Sequence, residues 1–221
     1  MAASKPVPTS IDDLAWAAYL EPLDGELESE TRYESVHLDQ LALDQVDCSR
    51  SRFFECALTG VTVEGGNFRH VQLREGWIQA TRWIAGDLAA VDWLDVTVVA
   101  SVLAGVQMFD AQLRRVTFRE CKLDSVNLRG AKLLDVRFID CQLEHVDFSG
   151  AGLTNVDFPG SRISGATFDR AQLANVDLRE AIELRLDGSY DALRGSTITS
   201  AQLINLAPEL AQALGIVVRD L

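Results

Sequence analysis

Residues 131–160 read AKLLD VRFID CQLEH VDFSG AGLTN VDFPG when written in fives. The third residue of every unit is large and apolar, and the first is small. Extended in both directions, that register runs from Val36 to Glu180 without insertion or deletion. Every third position in it is apolar, from Leu38, Leu43 and Cys48 through Trp83, Trp93 and Met108 to Phe168, Leu173 and Leu178. At 48% apolar composition, chance would give this roughly once in 10⁹. First positions are Ala, Val, Cys, Ser, Thr or Gly, with Leu41 the only large one. A period of five fits neither the 3.6 of a helix nor the 2.0 of an isolated strand, so a turn in each unit must re-aim the chain and the backbone must coil.

Folded at a period of 20, the sequence stacks like with like. Val96, Val116, Val136, Val156 and Val176 form one column, and Ala111, Ala131, Ala151 and Ala171 another. Leucine-rich repeats and hexapeptide helices fail on spacing. The pattern resembles the pentapeptide-repeat family, whose motif is a small residue, a polar one, Leu or Phe, and two polar or turn-forming residues. The resemblance implies an all-β solenoid, a right-handed quadrilateral β-helix of about seven coils with short helical N- and C-terminal caps. At about 4.8 Å per coil the rod is roughly 35 Å long.

The expected organisation is an N-terminal helix and acidic linker over 1–35, the β-helix over 36–180, and a C-terminal helical cap and tail over 181–221. Solenoid ends need covers. Ser10 with Asp13 reads as a capping box opening a helix to about Leu20, with Ile11, Leu14 and Ala18 on one side and Pro22 as its stop. Leu203, Leu206, Leu210 and Leu214 fall at helical spacing, with Pro208 expected to divide that segment into two short helices and Ile216–Val218 to form a last strand. These four leucines are the expected cap or dimer contact. In the topoisomerase-binding branch of the family the same end forms a homodimer, which the resemblance implies here beside the alternative of a simple monomer cap.

The composition carries 33 acidic and 20 basic residues, a net charge of −13. That argues against direct nucleic-acid binding or an anionic membrane surface. No signal peptide is visible, and Asp92 and Asp95 interrupt the most apolar stretch, so a cytoplasmic location is expected. His37, His70 and His145 occupy outward positions on different faces. Cys48, Cys56, Cys121 and Cys141 are all inward and read as thiol core fillers. No catalytic, cofactor-binding or metal-binding constellation is present, so the expectation is a protein that is not an enzyme and has no cofactor.

Two surface features remain. Residues 1–35 hold eight acids against two bases, so the coil itself is nearly balanced except on one face. That face carries Asp39, Glu120, Asp140, Asp157, Asp177 and Glu180 against Arg119, Arg137 and Arg179. In quinolone-resistance and antibiotic self-immunity members of the family, acidic rods mimic DNA and bind DNA gyrase or topoisomerase IV. The resemblance therefore implies a partial DNA mimic engaging a type II topoisomerase. Plasmid-borne members interrupt their coils with loops; no loop breaks the register here, which makes the mycobacterial-type branch the nearer analogue. The second feature is a weakly charged belt at 76–110, with Trp77, Ile84, Leu94, Val99, Val102 and Phe109 at outward positions. It fits a scaffold docking a protein partner, a second copy, or, as the favoured cover, the N-terminal helix with Trp16 and Tyr19.

Overall fold

A computed structural model describes residues 8–188 and 193–219. In each five-residue unit the fifth residue turns the chain. Gln40, Glu55, Ala80, Ala100, Glu120 and Asp140, like most of their counterparts, hold a left-handed conformation with φ between +48° and +54° among these six. That conformation is costly for an L-residue, and hydrogen bonding to the next coil offsets the cost. The amide of Gln40 donates to the carbonyl of Thr59 at 2.8 Å, and Ala100 to Arg119 at 2.9 Å. One corner per unit makes a square coil of about eight turns.

The coils stack as parallel sheets whose partners lie twenty residues apart through the body of the rod, with a register shift where Arg162–Ala166 pairs with Glu183–Leu186. A twelve-stranded sheet and an eight-stranded sheet form the walls. Gln72–Gln79, Asp92–Val99, Gln112–Arg119 and Lys132–Ile139 each run through a corner and serve two faces. The shorter strands Arg82–Ile84, Val102–Ala104 and Lys122–Asp124 build the opposite wall. Single bridges from Asp47↔Asn67 to Asp147↔Thr167 complete the fourth face. Partners such as Val96↔Val116 and Phe118↔Phe138 lie twenty residues apart.

First and third positions fill the rod. Phe118, Phe138 and Phe158 stack with centroids 5.0 Å apart, and Phe148 stacks on Phe168 at 4.9 Å. All four cysteines are buried free thiols. Burial pushes the Cys48 thiol up to about 11 and raises that of Cys56. Neighbouring Cys121 and burial together raise that of Cys141.

The ends depart from the sequence reading. The coil takes in Arg32–Glu34, which pairs with Arg52–Phe54 and stacks Tyr33 on Phe53. Leu27 lies over this first coil, and the amide of Glu28 donates to the Tyr33 hydroxyl at 2.7 Å. The front cover is therefore the segment around Leu23–Leu27, not a helix. The capping box at Ser10 and Asp13 is present but opens only a three-residue 3-10 turn, Ile11–Asp13, succeeded by a second, Ala17–Tyr19. Trp16 packs sideways against the coil, and that contact outweighs continuation of a helix too short to be stable alone.

At the rear a single α-helix, Ser200–Ala213, contains Pro208. Pro208 does not divide it: both Pro208 and Ile204 are exposed, so the hydrogen bond that the proline removes is lost on the solvent side of the helix. Ile216–Val218 forms no strand and joins no sheet. Gln202 ties the helix down, its side-chain amide donating to the carbonyls of Leu178 at 2.7 Å and Ala181 at 3.1 Å.

Candidate interaction faces

The stacking rule that builds the core also orders the outside. Second-, fourth- and fifth-position residues form columns one coil apart, about 4.8 Å per step. On the twelve-stranded sheet Arg137 is in register with Asp157, and Asp157 with Asp177. Arg137 Nε lies 3.1 Å from the Asp157 carboxylate, while Arg179 Nη2 lies 2.6 Å from that of Asp177. Arg179 holds the Asp177 carboxyl below the usual range. Asp157 goes the other way: partial burial raises it, and the charges of Asp177 and Glu180 add to the shift against the pull of Arg137.

Glu120, Asp140 and Glu180 stand in the corner column of this face, with Gly160 between the last two. Among the described residues none of these three carboxylates makes an ion pair or side-chain hydrogen bond. Three carboxylates without an ion pair, spread over four coils, stand about 7 Å apart on average, compared with one charge per 3.4 Å along a DNA strand. Asp39 does not join them. It sits at the front end, four coils from Glu120, and accepts a hydrogen bond from the Thr59 hydroxyl, which itself accepts one from His37 Nε2 at 2.8 Å.

The apolar belt is spread around the rod. Trp77 and Val99 lie on the acidic face, Ile84 and Val102 on the eight-stranded wall, Leu94 on a third face and Phe109 on the fourth. Trp77 is 0% exposed because Trp16, itself 6% exposed, covers it together with Ala57. Tyr19 points away and is exposed. The other five belt residues are half-buried. Arg69 reaches over the Phe109 ring at 5.5 Å across the small Ala89. Leu94 is in register between Arg74 and Arg114, and Asp92 bridges those two arginines at 2.6 and 3.0 Å.

That Arg74–Asp92–Arg114 bridge escaped the sequence reading, although three side chains of alternating charge in neighbouring coils announce it. Burial works to raise the Asp92 carboxyl, and the two guanidinium groups outweigh it. At the C-terminal end, Leu206 is buried, Leu210 half-buried, and Leu203 and Leu214 exposed, continuing through Ile204, Ile216, Val217 and Val218 as an apolar surface. Among the described residues no three His, Cys, Asp or Glu side chains gather to hold a metal ion. Among them, too, no helix is long and apolar enough to cross a membrane.

The described residues form a square parallel β-solenoid with ordered side-chain columns on its outside. Residues 91–168 match the family model described as the pentapeptide repeat region, and the same register continues on both sides of that stretch. Residues 91–168 are thus a pentapeptide-repeat region. A search of curated proteins finds no match. Among solved structures, the chain is similar to HetL, a pentapeptide repeat protein involved in heterocyst differentiation regulation from the cyanobacterium Nostoc sp. strain PCC 7120. The identity is 19% over 77% of this chain and 84% of that one, with a TM-score of 0.44. It is also similar to a trypsin-treated form of QnrB1, a plasmid-mediated fluoroquinolone resistance protein, at 17% identity over 90% and 96% of the two chains and a TM-score of 0.43. At TM-scores this low neither likeness bears on function.

Proposed function

We propose that the protein is a non-enzymatic binding protein that engages DNA gyrase or a related type II topoisomerase as a partial DNA mimic, conferring drug or toxin tolerance on its host. The observation that supports this reading is the uncompensated corner column Glu120, Asp140 and Glu180 beside the crowded Asp157 and Asp177. A cationic DNA-binding surface would complement these carboxylates, and the attraction would be screened by salt. The exposed apolar surface from Leu203 to Val218 supports the accompanying proposal of a homodimer through the C-terminal end, which doubles the rod. The apolar belt gives a scaffold reading less support, because its residues are divided among four faces and Trp77 is already covered.

A gyrase supercoiling assay tests the reading. The protein inhibits supercoiling at low salt, and the triple replacement Glu120→Gln, Asp140→Asn, Glu180→Gln weakens inhibition at least about tenfold, as the loss of several charge contacts requires. No inhibition, no drug protection and no complex at low salt would refute it.

A further inference from the structure

On the acidic face, the outward positions from Ala57 to Ala100 carry no charge. Ala57, Thr59, Trp77, Gln79, Thr97 and Val99 occupy them, with Gly60, Ala80 and Ala100 at the corners. Pro8–Leu20 lies across this stretch, with Trp16 seated on Ala57 and Trp77 and with Ile11, Leu14, Leu20 and Val99 around them. The manner of attachment is unusual for this molecule. Among the described residues, every hydrogen bond made by residues 9–20 stays within the segment: Leu14 donates to Ile11, Ala17 to Leu14, Tyr19 to Trp16, and Thr9 and Ser10 bond to Asp13. The first bond to the coil is that of the Glu21 amide to Ser35 at 2.8 Å. Each coil, by contrast, is laced to its neighbours by a continuous ladder.

We propose that Pro8–Leu20 is a releasable strap, latched by Trp16, that opens while the coil stays folded and so controls access to an apolar patch of Ala57, Trp77 and Val99. Opening breaks no inter-coil hydrogen bond and leaves Trp77 with its own anchor, the indole N–H donating to Gln79 Oε1 at 3.0 Å. The patch is thus preformed beneath the strap. Segments held by few buried apolar contacts and no ladder open at a fraction of the global unfolding free energy. The inference is independent of the topoisomerase reading, since it concerns uncharged residues and needs no partner for its test.

Thiol labelling measures the opening. Ala57 is 0% exposed under the strap, and the four native thiols are at most 2% exposed inside the coil, so the latter act as a clock for coil opening. In Ala57→Cys, the introduced thiolate attacks an aromatic disulfide reagent, forming a mixed disulfide and releasing the aryl thiolate. It should react at least about 100-fold faster than the native thiols, as local opening well below the global free energy requires. Adding Trp16→Ala should accelerate it about tenfold or more, the scale of losing a buried Trp contact. Reaction no faster than the native thiols, or at one rate with and without Trp16, would overturn the proposal. Should the new thiol unseat Trp16, the unaltered chain gives a second measurement. Chymotrypsin should cut between Leu14 and Leu20 and leave the coil as a resistant product, whereas simultaneous digestion of strap and coil would overturn it.

Discussion

Phe138 sits in the middle of a three-ring ladder, 0% exposed, with Phe118 and Phe158 each stacked 5.0 Å away at interplanar angles of 4° and 5°. Phe148 is equally buried but stacks on one ring only, Phe168, because Leu128 occupies the coil before it. Replacing each by Leu separates burial from ring geometry. The change of shape in a filled core costs about 1 kcal/mol at either site. Each stacked pair is worth about 0.5–1.5 kcal/mol beyond area burial. By that arithmetic Phe138→Leu loses about 2–4 kcal/mol and Phe148→Leu about 1.5–2.5. Urea unfolding monitored by far-UV circular dichroism reads the difference as midpoints. For a slope near 3 kcal/mol/M, Phe138→Leu should move the midpoint down by about 1 M, clearly further than Phe148→Leu. Equal shifts with unchanged slopes would show that the stacked geometry adds nothing beyond burial.

The corners and the acidic face give two further expected outcomes. Ala100 holds φ at +48°, where Gly escapes a penalty of about 1–2 kcal/mol but costs about 0.4–1 kcal/mol through the unfolded chain; Ala100→Gly should therefore raise the thermal midpoint, and a fall of several degrees would contradict the corner reading. Asp157 has its carboxyl raised by burial and by neighbouring acids, so its ionised form opposes folding and the opposition fades as pH falls through the raised value. Asp157→Asn should stabilise the protein at pH 7 by less than about 1 kcal/mol, with the advantage over the parent shrinking in acid. An advantage that grows in acid would reverse the sign and refute the crowding.

The coil was legible because two of every five positions are committed to the interior and the commitment repeats at one period. Phe138, Cys141 and Leu143 could be placed from spacing alone, and the structure buries all three. The ends were less legible for a physical reason. Ser10 and Asp13 do form their capping box, yet a single 3-10 turn satisfies the box, which leaves the path of the chain beyond Asp13 unspecified. That path is decided by Trp16 packing on Trp77, a long-range contact that no local pattern encodes. Pro208 misled in the opposite direction, since a proline whose freed carbonyl faces solvent breaks no buried bond.

The same division explains why function was harder to read than fold. First and third positions are committed to the interior, so any specificity must be written in the outward second-, fourth- and fifth-position side chains, read down a column rather than along the chain. Asp92 looks like one more surface acid in sequence, but in its column it is a bridge between Arg74 and Arg114 and is thereby withdrawn from any partner. Glu120 and Asp140 look no different, yet their column supplies no base and leaves them free to act. Net charge cannot distinguish the two cases. The relevant quantity is charge left uncompensated within one or two coils, and by that measure the rod offers a short anionic edge near its C-terminal end and an uncharged, strap-covered stretch toward the other. A partner reading this face would meet the two in succession, so salt should weaken its hold on the first far more than on the second.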